Sequence, residues 1–239
     1  MYQEDKICER IYLTMAHQDE RYERSMQSTT FKRIVNRFHL DCKKVLDIGS
    51  GWGEYLVSFG KGSMGITGQD VEVAFCKEKK LKAIVCNAEY IDVHVKESFD
   101  VIWANNFLEH ILSPHYFLMR ARKLVNREGI IIIGVPVVPR IISLMRIRKF
   151  SGALADSHIS FFTKKSIELT LQSAGYILVE SRPFIFKNRW LDSLAAIIAP
   201  HMYVVASVNH GFHYSKKKIA EWANFDEYRE LLSSSVDKD

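Results

Sequence analysis

Three features in the first half of the chain could do chemistry together. Asp47 closes the apolar run Val45-Leu46-Asp47-Ile48, and Gly49, Gly51 and Gly53 alternate directly behind it. Glycine lets the backbone turn sharply and lets a ligand approach main-chain N–H groups with no Cβ in the way. The spacing is D-x-G-x-G-x-G: Glu54 stands three after Gly51, and Gly53 comes one residue early. It therefore departs from the G-x-G-x-x-G of dinucleotide sites. Read alone, it also suits a tight strand-to-helix turn with no ligand. Asp70 stands 17 residues after Gly53, at the end of Gly65-Ile66-Thr67-Gly68-Gln69-Asp70. In nucleoside-binding α/β sheets an acid there accepts hydrogen bonds from ribose hydroxyls, and the same location suits a helix cap.

These residues need a sheet to hold them. The chain supplies a strand at 45–48 and a helix after it, with Tyr55, Leu56 and Phe59 as the buried stripe. Further strands are predicted over Gly65–Asp70, Lys82–Glu89, Ser98–Asn106 and Ile130–Ile133. From 43 to 136 strand and helix signals alternate, which implies parallel strands with crossover helices. Ser113-Pro114 opens a helix through Leu124, since proline is favourable at a first helical position. Asn126-Arg127-Glu128-Gly129 ends it. Thr163 and Gly175 bound another helix, and strands follow at Tyr176–Glu180 and Met202–Ser207.

Six blocks stand in a known order. "VLDIGSGWG", "GQD", "NAE", "FDVIWANNFLEHI", "REGIIIIGVP" and "HISFFTKKSIELTLQSAGY" together resemble class I S-adenosylmethionine-dependent methyltransferases, over roughly 40 to 210. The last block is typical of the small-molecule and glycan-modifying branch. The resemblance implies an α/β fold: a doubly wound, mostly parallel seven-stranded Rossmann-like sheet with an antiparallel last strand and N-terminal helices. The expected division is a helical cap at 1–40, a cofactor-binding domain at 41–210, and a helix and tail at 211–239. Lid or acceptor segments are expected at 137–157 and 185–200.

The resemblance also implies roles. S-adenosylmethionine is the expected cofactor. Asp47 would stand near the ammonium of its methionine portion, with Gly49, Ser50, Gly51 and Gly53 forming the turn around it. Asp70 would bridge the ribose hydroxyls through charge-assisted hydrogen bonds. Asn87 occupies the place of an aspartate that bonds the adenine amino group, and the N–H of Ala88 would meet an adenine ring nitrogen. Asn105 and Asn106 would border the methyl group and the acceptor. A base is needed only if the acceptor must lose a proton, as a hydroxyl does. Glu109, His110 and His158 are the candidates, with His110 and His158 the expected catalytic pair; a structural histidine at a helix start is the other reading of His110. The expected reaction is methyl transfer to a small molecule or a sugar of a glycan precursor, at oxygen. A non-catalytic cofactor-binding regulator and a nicotinamide oxidoreductase remain as alternatives.

Composition narrows the classes. The chain has 239 residues, enough for one domain with appendages, and 47% are apolar, enough for a sizeable core. Its net charge of +5 is mild, so no nucleic-acid partner is expected. The four cysteines (8, 42, 76 and 86) form no C-x-x-C, so no metal site is expected and buried or half-buried thiols in a reducing compartment are. The apolar runs at 130–139 and 194–208 fall short of the ~20 uninterrupted residues of a membrane span. The N-terminus lacks a signal-peptide core, and a cytoplasmic location is expected. Ile7, Ile11, Tyr12 and Met15 predict an N-terminal helix. His17, Arg21, Tyr22 and Arg24 follow on a solvated face or over the cofactor. Segment 140–150, with Arg140, Arg146, Arg148 and Lys149, reads as a basic flap, as a peripheral contact with an anionic membrane, or as a helix on the domain edge.

Overall fold

Period-two alternation in the central strands decides which face of the sheet each apolar residue serves. Leu46, Ile48, Ile102, Ala104, Ile131 and Ile133 enter one core layer, and Val45, Val101, Trp103 and Ile132 enter the other. This computed structural model describes residues 22, 23, 25–141, 151–226 and 228. Its strands are β1 (Val45–Ile48), β2 (Met64–Thr67), β3 (Ala83–Val85), β4 (Phe99–Asn105), β5 (Val125–Pro136), β6 (Tyr176–Arg182) and β7 (His201–Val208). They form one sheet in the order β3-β2-β1-β4-β5-β7-β6. Strands β1 to β5 pair in parallel, and β7 lies antiparallel to both β5 and β6. This is the expected Rossmann-like arrangement, and its order reverses between β1 and β4. Ligands in open sheets sit at such a switch point, beyond the carboxyl ends of the strands.

The helices are α1 (Thr29–Phe38), α2 (Asp70–Glu78), α3 (Ile91–His94), α4 (Pro114–Ala121), α5 (Lys164–Ser173), α6 (Arg189–Ala195) and α7 (Lys216–Trp222). Several ends follow from local chemistry. Ser28 accepts a bond from Phe31 N, Ser113 caps the proline-led α4, and Thr163 and Ser166 form a reciprocal capping box at α5. Ile91, Phe117, Leu118, Ile167 and Leu171 of α3, α4 and α5 close one face. Phe31 and Ile34 of α1 close the other, where Phe31, Tyr55 and Phe59 ring Trp103 at centroid distances of 5.5–6.0 Å.

The strands predicted over Gly65–Asp70 and Lys82–Glu89 end early, at Thr67 and Val85, because Asp70 opens a helix and Ala88–Tyr90 forms a 3₁₀ turn; two further elements differ more. No α-helix follows the glycine turn; Leu56–Ser58 is a single 3₁₀ turn. Gly49, Gly51 and Gly53 all have positive φ, so the chain stays outside helical geometry to residue 53. At the far end Gly60 donates to Leu40 O, and a Cβ there would lie 2.6 Å from Lys43 N. The six residues between these two fixed points make one turn and no more. The fifth strand also begins earlier than predicted, at Val125 rather than Ile130. Phe99 pairs Val125 while Val101 pairs Ile130, so residues 126–129 form a bulge. Asn126 Nδ2 secures it with a 2.8 Å bond to Asp100.

Ile7, Ile11, Tyr12, Met15, His17, Arg21 and Arg24 lie outside the described residues, as do Arg146, Arg148 and Lys149 of the basic segment and the end of the tail. Among the described residues no helix is long and apolar enough to cross a membrane. Cys76 and Cys86 are buried free thiols; Cys42 is free but exposed, because it ends the surface 3₁₀ turn Leu40–Cys42.

Candidate functional site

The turn after β1 builds the first wall of the site. Gly49 has φ 69°, and a Cβ there would lie 2.7 Å from Phe107 Cδ2. A side chain would therefore be strained and would displace a residue that lines the neighbouring cleft. Ser50 and Gly53 serve a different purpose from Gly49. Ser50 is buried, with its N–H and its hydroxyl both donating to Ile66 O. Gly53 packs against Leu81, Cys76 and the Tyr22 hydroxyl. Both hold the turn onto β2 and α2.

Asp47 is 1% exposed, and its Oδ2 has no hydrogen-bond partner among the described residues. Burial pushes its carboxyl well above the usual carboxylate range, and the neighbouring Glu54 adds to the rise. A buried carboxylate oxygen without a donor is costly unless a ligand supplies one. Tyr22 lies over this turn, its hydroxyl donating to Trp52 O at 2.7 Å.

A cleft of about 460 Å³ opens between the turns that follow β1, β2, β3 and β4. Gly49, Gly68, Asn87 and Ala88 contribute its backbone-rich side, and Ile66, Val85, Phe107 and Ile111 its apolar side. That size and mixture suit a small organic ligand with a flat apolar part. Asp70 is the first residue of α2 and is exposed, two residues beyond Gly68. Asn87 uses its Oδ1 to cap the next turn, accepting from Glu89 N at 3.0 Å. A carbonyl oxygen has a second lone pair, so the cap leaves acceptor capacity. Thr67, which the sequence reading did not single out, also lines the cleft and donates its hydroxyl to Glu72.

The segment after β4 forms the other side through Phe107 and Ile111, with Asn105 and Asn106 just before it and outside the cleft lining. Asn105 Nδ2 donates to Tyr55 OH at 3.2 Å, and its Oδ1 is buried without a hydrogen-bond partner among the described residues. Asn106 holds a left-handed conformation (φ 50°) and bonds His201 Nε2 at 2.9 Å. Phe107 and Ile111 face the cleft, while Glu109 and His110 between them meet His158 from the loop before α5. The His110 and His158 rings lie 4.8 Å apart by centroid. Ile159 N and Ser160 N both bond Glu109 O, at 2.8 and 3.0 Å, which fixes the two segments together. Glu109 is 1% exposed, neither carboxylate oxygen has a partner among the described residues, and burial pushes its pKa up to about 7. The structure thus joins His110 and His158, which are 48 residues apart in the chain. A second cleft, lined by Arg140, Lys164, Lys165 and Glu168, adjoins the same 158–163 segment.

The buried Oδ2 of Asp47, unpartnered among the described residues, the glycine that tolerates no Cβ and the cleft beyond it fit an amino-acid-bearing nucleoside. Comparison with known proteins agrees. Residues 17–181 match the family described as "Methyltransferase domain". An uncharacterized protein of Methanocaldococcus jannaschii is 25% identical over 152 residues, 63% of this chain and 72% of its own length. An S-adenosylmethionine-dependent methyltransferase from Clostridium acetobutylicum superimposes with a TM-score of 0.61 at 10% identity, covering 83% of this chain and 99% of its own. A methyltransferase from Thermotoga maritima, described as a possible histamine N-methyltransferase, gives 0.57 at 12% identity over 81% and 96% of the two chains.

Proposed function

The chain belongs to the methyltransferase-domain family and is an S-adenosylmethionine-dependent methyltransferase, and from that premise we propose that its acceptor is a hydroxyl of a small molecule or of a sugar in a glycan precursor. The observation that carries the reading is the Glu109–His110–His158 cluster, at the end of the segment that also lines the cleft. A neutral amine attacks through its lone pair without first losing a proton; a hydroxyl must lose its proton, and a carboxylate with a pKa of about 7 is matched to that task at neutral pH.

When bound, S-adenosylmethionine supplies an electrophilic methyl group on a sulfonium. The chain's own residues would do the rest. Asp47 Oδ2 would accept from the ammonium of the methionine portion, and Asp70 from the ribose hydroxyls. Asn87 and the Ala88 N–H would meet the adenine edge, with Gly49 and Gly51 keeping the turn free of side chains. Asn105 and Asn106 would orient the acceptor, and the cluster would receive the hydroxyl proton. Holding donor and acceptor in line is worth up to roughly 7–11 kcal/mol in well-oriented systems. Arg140, Lys164 and Lys165 beside the second cleft support an acceptor that carries phosphate or carboxylate.

The test is calorimetry with S-adenosylmethionine and with NAD, followed by transfer of labelled methyl to a panel of nucleotide-linked sugars. Binding of S-adenosylmethionine alone and label in an alkali-stable ether are expected. Label recovered on nitrogen, or transfer unchanged when His110 and His158 are both replaced by alanine, would overturn the oxygen reading.

A further inference from the structure

We propose that Glu109, His110 and His158 form a binding site for one divalent first-row transition-metal ion, open on its acceptor side. One carboxylate oxygen and one ring nitrogen from each histidine lie within 4.8 Å of one another. Metal bonds of ~2.0–2.2 Å place ligand atoms about 3–4 Å apart. The exposed His110 and half-exposed His158 need only small side-chain rotations to close that difference.

Three further observations point to a cation. Glu109 is 1% exposed and both its oxygens lack hydrogen-bond partners among the described residues, its own backbone N–H being the donor that faces the carboxylate, so the fold buries an acceptor pair that is under-supplied with donors. His110 Nδ1 lies 3.1 Å from Ser157 O, and His158 Nδ1 lies 3.3 Å from Ala153 O. A carbonyl can only accept, so each Nδ1 carries a hydrogen, and in the neutral ring the lone pair then lies on Nε2. Metal-binding histidines characteristically donate the other ring N–H to a carbonyl, which fixes tautomer and orientation. Finally, the two segments are tied by the bonds of Ile159 and Ser160 N–H to Glu109 O, so the donor set is held before any ion arrives.

Two imidazoles and one carboxylate suit Zn²⁺, Co²⁺, Fe²⁺ or Mn²⁺ and leave coordination positions open. An acceptor hydroxyl ligated there would lose its proton to solvent water more readily, as a water on a bound metal does, and with the ion in place the three side chains hold the metal rather than take the proton themselves. Ion binding itself stands without the methyltransferase reading; only its link to the acceptor rests on it.

The probe is Co²⁺ added to the tag-free full chain without cofactor. One equivalent per chain with visible d–d bands is expected in the parent. The bands should vanish in His110→Ala and in His158→Ala, and Glu109→Gln should weaken binding at least tenfold. Both histidine changes leave the core untouched, and thermal melts check that each variant is folded. Affinity for S-adenosylmethionine, measured in parallel, should be the same in the parent and both histidine variants. That measurement separates failure of this site from failure of the cofactor site. Absent d–d bands in the parent, or equal bands in parent and variants, would overturn the proposal.

Discussion

Asp47→Asn should make the cofactor-free protein more stable and bind its cofactor less well. Asp47 is 1% exposed, Oδ2 has no partner among the described residues, and Glu54 adds repulsion. Asparagine keeps the shape and removes the charge. An unsatisfied buried polar group costs ~1–3 kcal/mol, and more when charged. Relief of one to two of those kcal/mol corresponds to about 2–8 °C in Tm for a chain of this size. The pH dependence has a definite sign. The folded carboxyl titrates above its unfolded value, so as pH rises the unfolded chain gives up its proton first. The parent therefore loses stability with rising pH above the ordinary carboxylate range. The variant lacks that loss, so the gap between them should close as pH falls from the raised folded pKa toward the usual carboxylate range. Binding should move the other way. A hydrogen bond to a charged group is worth ~1.5–3 kcal/mol, or roughly 10- to 150-fold in Kd. Scanning calorimetry across pH and titration with S-adenosylmethionine measure both. A variant with lower Tm at neutral pH and unchanged affinity would refute the assignment of Asp47 as a ligand held ready at a stability cost.

Gly49→Ala should cost ~1–3 kcal/mol for the left-handed backbone, and by pushing Phe107 into the cleft it should also weaken cofactor binding at least tenfold; denaturant melts and titration report the two effects separately. Asp70→Asn should lower cofactor affinity with Tm unchanged, and 2′-deoxy cofactor analogues should lose their disadvantage in the variant. Arg140→Gln should raise the KM of an anionic acceptor while leaving cofactor affinity intact, with an effect that shrinks at high salt because exposed charges are screened.

The strands were legible because they carry their own period. Val45–Ile48 and Ile130–Ile133 are apolar runs too short for helices, and they became β1 and the centre of β5. The caps were legible because Ser113-Pro114 and Thr163 act within three residues of themselves. What escaped depends on contacts distant in sequence. The stripe Tyr55, Leu56, Phe59 has helical spacing, but the tether of Gly60 to Leu40 leaves no length for a helix. Asn126–Gly129 has the composition of a helix end, yet its pairing across to Asp100 makes it a bulge. Ser50 and Gly53 belong to the glycine pattern, but only their packing on Ile66 and Leu81 shows that they brace the turn. Glu109, His110 and His158 were each legible as candidates, but not as neighbours. Their meeting requires the loop before α5 to fold back on the end of β4, and nothing in local spacing encodes that.

The position of β7 between β5 and β6 has a consequence for how the chain is made. A growing chain leaves the ribosome N-terminal end first, so β1 to β5 can pair while residues 201–208 are still being synthesised. Until they arrive, Ile130–Pro136 has no partner on its outer edge. That is an apolar β-rich edge of the kind that recruits other chains. The cleft is complete early, since it draws on the turns after β1 to β4. The Asn106–His201 bond can form only when β7 docks. A nascent chain halted before residue 200 would therefore hold a formed cleft beside an aggregation-prone edge. Early cofactor binding to that intermediate would stabilise only the half already made, and the β5 edge would stay open until the last strand is inserted.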